Sequence, residues 1–354
     1  MIDQQAGAWF PRPSQDVESS FSSQYESIEP ISIFGDVEFD IGNWPGEGTL
    51  RNPYIIEGYE ISSVSSGDLI TIQNTSVYFI IRNCFLNGQS IAWGGITFYN
   101  VTHGIIDNNI VRNIDILGIG IYFSENITIA NNEVENTDLN GIRIEACLGS
   151  VIIINNTVSY STGAGIWIGD SSYQTTIVNN TINNNRFGIF FGRDTEIHQG
   201  VFSSVISGNF ISSHTLYGIE LSYSSNNSIS YNFISEAQNY GIFLQYPCEN
   251  TEIIENTFCD NNRDGTSQAR DDGSINTFHH NFWNDHTDPD SNNDGIVDAT
   301  YRIDGAANNF DFFPLTKPTI SPPSPTIPIN ILSGGLFLSL IIGSLIILLI
   351  KNKN

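Results

Sequence analysis

Apolar residues in this chain come in short alternating runs, and the polar breaks between the runs recur. In Asn126-Ile127-Thr128-Ile129-Ala130 and Thr175-Thr176-Ile177-Val178, β-branched residues stand two apart, the spacing that sends them to one face of a strand. A Gly-Ile-x-apolar tetrapeptide returns at Gly95, Gly120, Gly141, Gly165, Gly188, Gly218 and Gly241. In step with it, an Asn that is usually the second of a polar pair closes a short strand. These Asn are Asn83, Asn109, Asn132, Asn156, Asn180, Asn209, Asn232, Asn256 and Asn281, and six of the eight intervals are 23 to 25 residues. Self-similarity at such a period predicts a solenoid. Three short strands with Gly, Asn and Ser turns fit one repeat, so the class is all-β. One repeat cannot bury its apolar face alone, whereas stacked coils pair every strand in parallel above and below. The pattern therefore predicts a parallel β-helix of about ten coils.

The recurrent Asn fits such a coil in two ways. Asn tolerates the left-handed region needed at a tight bend better than any residue but Gly. Pointing inward, equivalent amides would stack along the axis as a hydrogen-bonded ladder; pointing outward, they would only mark solvent turns. Regular spacing between apolar neighbours favours the ladder. The Gly before each Ile is expected at a turn with positive φ. Between Gly188 and Gly218 the interval stretches to 30, which places an insertion of about seven residues within Gly192 to Gly200.

Pattern changes divide the chain. Residues 1–29 lack periodicity and are expected to be a flexible leader. The β-helix should occupy 30–313, with an N-terminal cap over 31–61 and an Asp-rich C-terminal cap over 274–313. Six prolines over 314–330 predict a stiff, extended linker. Residues 331–350 are uncharged and overwhelmingly apolar, long enough as a helix to cross a bilayer. Lys351 and Lys353 follow, so 351–354 is expected to be a cytoplasmic tail, leaving the rod outside a single-pass cell-membrane anchor. The first residues carry no signal-peptide pattern, so a start other than the true one, or a tail-anchored protein facing the cytosol, stays open. Six Asn-x-Ser/Thr sequons, at Asn74, Asn100, Asn126, Asn155, Asn179 and Asn226, favour the outside.

Thirty-eight acidic against 13 basic side chains, a net charge of −25, argue against nucleic acid as a partner. Cys84, Cys147, Cys248 and Cys259 form no CxxC pair; small buried side chains are expected, with a Cys248–Cys259 disulfide as the alternative. The sharpest chemical motif is Asp290 to Asp298. Oxygen side chains at Asp290, Asn292, Asp294 and Asp298, Gly295 at the sharp turn and the Ile296 carbonyl match most of an EF-hand-type calcium loop. Tyr301 stands where the bidentate carboxylate belongs. A structural calcium and a plain acidic turn are both compatible. His279, His280 and His286 lie nearby, but adjacent His on a strand would face opposite ways. Arg270-Asp271-Asp272 and Arg263-Asp264 are the best local candidates for paired carboxylates in sugar chemistry. At the x position of the tetrapeptide stand Thr97, Tyr122, Arg143, Trp167, Phe190, Glu220 and Phe243. Aromatic residues outnumber ionisable ones, which suits stacking on sugar rings or a protein surface better than proton transfer. Tyr122, Trp167, Phe190 and Phe243 are the expected binding face.

The Gly-Ile-x-apolar and Asn-Asn rungs over residues 31 to 313 resemble the parallel β-helix repeats of the NosD type, grouped with carbohydrate-binding and sugar-hydrolase β-helices. Gly46-Glu47-Gly48-Thr49-Leu50-Arg51-Asn52-Pro53, Val77 to Cys84, and Asn281-Phe282-Trp283-Asn284-Asp285 through Tyr301-Arg302-Ile303-Asp304 are similar to stretches of archaeal surface proteins of this kind. The resemblance implies a right-handed coil and a surface location. It does not carry copper-enzyme maturation with it, because one Met and no His-rich copper motif are present. Three functions compete: a non-catalytic surface module binding glycans or partner proteins, a polysaccharide lyase, epimerase or hydrolase, and a metal-handling protein. The aromatic row favours the first, an anchored module for adhesion or envelope structure.

Overall fold

A computed structural model of the chain describes residues 25–62, 65–169, 171–192 and 200–321. Through them the chain winds a parallel β-solenoid, visiting three sheets in the same order in every coil. Among the described residues the first, second and third sheets hold 10, 12 and 11 strands. The ten rungs of the first sheet are joined by nine turns, against the expected ten coils. Like sits over like: Ile96, Ile119, Ile142, Ile166, Ile189, Ile219 and Ile242 follow one another in register, all fully buried. Each coil thus covers the apolar face that its neighbour cannot bury alone.

The glycines preceding these isoleucines do not have positive φ. A Cβ on Gly95 would lie 2.3 Å from Val111 Cγ1 and 2.5 Å from the Gly118 carbonyl oxygen. Close approach of the next coil, not backbone conformation, requires glycine there. Gly118 is its register equivalent, one rung on, so the repeat unit of that coil is Gly118-Ile119-Gly120-Ile121 and not Gly120-Ile121-Tyr122-Phe123.

Two residues share the work expected of one Asn. The first of each polar pair takes the left-handed turn: Asn83, Asn108, Asn131, Asn155 and Asn179 have φ between 51 and 56°. The second points inward. Asn109 donates its backbone N–H and its amide to Asn132 Oδ1 at 3.0 and 2.9 Å, and the pattern passes rung by rung to Asn281. Asn83 is therefore not a ladder member. Cys84 takes that place, its N–H donating to Asn109 Oδ1 at 3.0 Å. At the far end Asp311 closes the column: its Oδ2 accepts from Asn281 N, Asn281 Nδ2 and Trp283 Nε1 at 3.0–3.1 Å. A carboxylate only accepts, so nothing is left to donate onward.

Both ends carry structure that the periodicity does not announce. A six-residue helix, α1 (Asp36–Ile41), lies over the first coil and inserts Phe39 between Tyr54 and Phe79, at centroid distances of 5.3 and 5.0 Å. Asp36 anchors the helix by accepting from Thr75 Oγ1 at 2.6 Å and Ser76 N at 2.9 Å, which holds its carboxyl below the usual range. The expected leader ends early, because Glu26–Ser27 pairs with the strand Tyr59–Ser62. At the other end Phe258, Trp283 and Tyr301 stack at 4.3 and 4.1 Å, sealing the last coil. The first residues of the linker fold back on this cap: Leu315 N donates to the Asn281 carbonyl and Thr319 Oγ1 to the Glu255 carbonyl, at 2.9 and 2.7 Å. The leader through residue 24, 193–199 of the expected insertion, linker residues 322–330, the apolar span 331–350 and the tail 351–354 lie outside the described residues. Among the described residues no helix is long and apolar enough to cross a membrane.

Candidate functional site

Outward side chains of the first sheet stand in columns one coil apart, roughly 4.8 Å. The x column runs Thr97, Gly120, Arg143, Trp167, Phe190, Glu220, Phe243, Arg270. Three of the four expected binding residues, Trp167, Phe190 and Phe243, lie in it. Tyr122 does not. It is two residues further along the same face, in register with Tyr99 and stacked on it at 4.6 Å. Because Gly118 and Gly120 both precede an Ile, counting from the wrong one shifts the register by two.

A second aromatic column escaped the periodic reading. Phe187, Tyr217 and Tyr240 each precede the Gly of a Gly-Ile pair and stand beside the x column. Phe187 meets Phe190 at 5.4 Å, and Tyr217 meets Phe243 at 5.2 Å. Tyr217 and Tyr240 stack at 6.5 Å with planes 16° apart. The aromatic-Gly-Ile tripeptide was a visible signal for all three. Two of the rings lean over the glycine that ends their own strand: a Cβ on Gly169 would meet the Trp167 ring at 2.1 Å, and one on Gly192 the Phe190 ring at 2.6 Å.

Arginines cover this apolar surface. Arg143 lies 4.1 Å above the Trp167 ring and Arg270 5.4 Å from Phe243, within cation–π range. Each is also held by a carboxylate two residues on, Arg143 by Glu145 at 2.9 Å and Arg270 by Asp272 at 2.8 Å. Under Arg143 the Trp167 side chain is buried, which corrects the expectation of an exposed ring. Phe190 and Phe243 remain half-buried and available. Between them Glu220 accepts from Gln245 Nε2; burial pushes its carboxyl up to about 7, against the downward pull of Arg186. Beyond Phe243, the Tyr240 hydroxyl donates to Asp304 Oδ2 at 3.2 Å. Asp271, one of the expected sugar-chemistry carboxylates, is fully buried. It accepts from Gly273 N, Asn276 Nδ2 and Asn309 Nδ2, which makes it part of the cap.

The other candidates serve the scaffold. In the acidic loop, Asp290 accepts from Asp294 N and Gly295 N, Asp294 from Ile296 N, and Asp298 from Ser291 N, at 2.9–3.2 Å. Tyr301, at the position of the missing calcium carboxylate, is a buried cap residue whose hydroxyl accepts from Gln268 N and donates to Asp285. Positive φ at His280 turns His279 and His280 toward each other rather than apart. Their Nδ1 atoms are 3.2 Å apart with ring centroids at 5.4 Å, so the nitrogens point head-on, as in one N–H···N bond and unlike lone pairs converging on an ion. Among the described residues no three His, Cys, Asp or Glu are gathered as a metal centre requires. Cys248 and Cys259 are both free, on different sheet corners. Cys248 Sγ donates to the Leu221 carbonyl, and burial pushes its thiol up to about 12. A polar depression of about 360 Å³ lined by Asn226, Asn250, Glu252 and Thr277 lies on the second sheet, away from the aromatic face.

Residues 46–182 match a family described as "Right handed beta helix region", and residues 195–307 match one described as "Periplasmic copper-binding protein (NosD)". No curated protein matches the sequence. Among solved structures, the A-module of the Azotobacter vinelandii mannuronan C-5 epimerase AlgE4 is 15% identical with a TM-score of 0.53, over 86% of this chain and 91% of that one. The A-module of AlgE6 from the same organism is 16% identical with a TM-score of 0.55, over 75% and 84%. At such identity the likeness is one of fold. With one parallel solenoid through the described residues of both matched stretches, the chain is a parallel β-helix repeat protein that is NosD-like over residues 195–307.

Proposed function

We propose that this protein is a non-catalytic cell-surface module that binds glycans on the aromatic face of its first sheet. The observation that carries this reading is the double column of half-buried rings, Phe190 and Phe243 beside Phe187, Tyr217 and Tyr240, on a parallel sheet. Half-buried rings following one another along the coils suit stacking on sugar units. The NosD family is described as periplasmic, and all six sequon asparagines are exposed, in keeping with a location outside the cytoplasm. The proposal includes a single-pass anchor at 331–350 with the tail inside, since that stretch is uncharged and Lys351 and Lys353 follow it. Protease treatment of intact cells tests the topology; a protected rod with a cleaved tail contradicts it. A glycan-array screen of residues 25–321 tests the binding. Bound glycan whose affinity is unchanged in Phe243→Ala and Phe190→Ala removes the aromatic face from the reading.

An enzyme is the alternative, favoured by one observation. The solved structures of like fold include two mannuronan epimerases, and Glu220, Tyr240 and Arg270 supply ionisable groups beside the rings. Assays for unsaturated, shortened or epimerised products decide between the two. Copper handling is a poor fit: the buried thiols of Cys84, Cys147 and Cys248 are raised to about 11, 11 and 12, and only one Met exists in the chain. Calcium at Asp290, Asn292, Asp294, the Ile296 carbonyl and Asp298 is retained as a structural ion of the C-terminal cap. Calorimetric titration of the parent and of Asp294→Ala tests it, and an absence of heat in the parent leaves an acidic turn.

A further inference from the structure

The aromatic face contains one carboxyl that the scaffold does not need. Glu220 stands in the outward x column, where water would normally reach it, yet it is only 4% exposed. Phe190 and Phe243 occupy the same register on the strands to either side, and Gln245 and Ser222 close the end of the strand. Oε1 accepts from Gln245 Nε2, whose own Oε1 accepts from Ser222 Oγ at 3.3 Å. Among the described residues no donor meets Glu220 Oε2. Oε2 is not sealed from solvent, so it opens onto the face, where a ligand donor can meet it. Hydroxyls of a sugar lying across the two phenylalanine rings would be such donors.

We propose, on the basis of the glycan-binding reading above, that Glu220 is the hydroxyl-anchoring residue of this face and makes it select uncharged glycans over uronic-acid polymers. A pyranose stacked on Phe190 or Phe243 brings an equatorial hydroxyl toward the carboxylate, forming a charge-assisted hydrogen bond. A uronate on the same rings would set its own carboxylate against Glu220 in a half-desolvated site. The cations that would otherwise attract it are engaged, Arg143 by Glu145 and Arg270 by Asp272. Arg186, over the Phe187 ring at 5.2 Å, is the cation whose charge reaches Glu220. Tyr217 and Cys248 are the other titratable groups that feel Glu220, and both have their proton loss pushed upward, so they stay neutral at physiological pH. The preference therefore follows the ionisation of Glu220: it sharpens as pH rises through about 7 and narrows below.

The test is calorimetric binding to the full-length protein in detergent, at about pH 5.5 and about pH 8.5. The probes are gluco- and manno-oligosaccharides on one side, oligomannuronate and oligogalacturonate on the other. At the higher pH the neutral probes should bind at least tenfold tighter, and at the lower pH the ratio should shrink by about fivefold or more. Glu220→Gln, which keeps shape and the bond with Gln245, should lose both the ratio and its pH dependence. Wild-type protein that prefers uronates at pH 8.5, or shows equal affinity for the two classes, overturns the role of Glu220 and leaves glycan binding standing; this arm needs no variant. A ratio unchanged in a folded Glu220→Gln also overturns it. No heat with any probe at either pH overturns the glycan-binding reading itself, and the selectivity with it.

Discussion

The ladder corner and the aromatic face belong to the same coils and share one period, yet they obey opposite rules. Along the corner Asn recurs at eight consecutive rungs from Asn109 to Asn281, each at most 1% exposed. Along the x column eight rungs carry six residue types. Inside, an amide has only its equivalents above and below to bond with, so each rung constrains the next. Outside, water can replace any neighbour, so each rung is free to differ. Repetition marks the scaffold, and departures from repetition mark the place where this molecule acquires a chemistry.

Substitutions in the two regions should separate accordingly. The largest effect is expected for Asn156→Leu, which strands the N–H of Asn132 and takes a donor from the carbonyls of Ile129 and Ile154. Several buried groups at 1–3 kcal/mol each give a loss of at least about 4 kcal/mol, measurable by denaturant unfolding; a loss below about 1 kcal/mol would mean that the ladder relaxes around a gap. His214 comes next. It fills an inner position that Asn185 and Asn261 fill in other coils, and burial lowers its imidazole to about 4. The unfolded chain takes up this proton below about pH 6.5 while the folded one resists it. Stability should therefore fall by up to about 3 kcal/mol as pH drops from 6.5 to 4. His214→Asn should abolish that part of the acid sensitivity, and an unchanged pH profile would refute the assignment.

On the outer face the sign reverses. Glu220 has its folded carboxyl raised to about 7 against an ordinary 4.5, so its contribution is complete below about pH 4.5 and is lost as pH rises to 7. Glu220→Gln should gain roughly 2–3 kcal/mol over wild type at pH 8 and nothing at pH 4.5. A difference that does not vary with pH would place the carboxyl in contact with water. The smallest change is expected for Phe243→Ser, about 1 kcal/mol of stability for a half-buried ring, with its main consequence in ligand binding. A collapse of the fold there would erase the distinction between scaffold and face.

Particular residues show how far the chain could be read unaided. Spacing of Asn109 through Asn281 implied the inward column, because a period-locked amide between apolar residues has few other uses. The same spacing misplaced Asn83, since Cys84 donates the same backbone N–H without being an amide. Tyr122 was put one column away by the paired glycines of a single coil. Phe39 left no periodic trace, because a cap is a one-off element whose sequence answers to the open end beneath it and not to a repeat. The acidic loop matches an ion site by composition, and composition does not reveal that its side-chain oxygens also accept from their own loop's N–H groups. Burial of Trp167 was unreadable, because it depends on Arg143 one coil below.

The sequence by itself determined the class, the period, the parallel stacking and the identity of the ladder, for these follow from interactions that every coil repeats with its neighbour. Only the tertiary structure decided which outward residues share a column, which rings are covered, where the ladder ends at Asp311, and that Glu220 is held between two rings with one oxygen open to the face. Those outcomes depend on contacts made once, between residues about 23 or more positions apart, and a single contact leaves no repetition to be read.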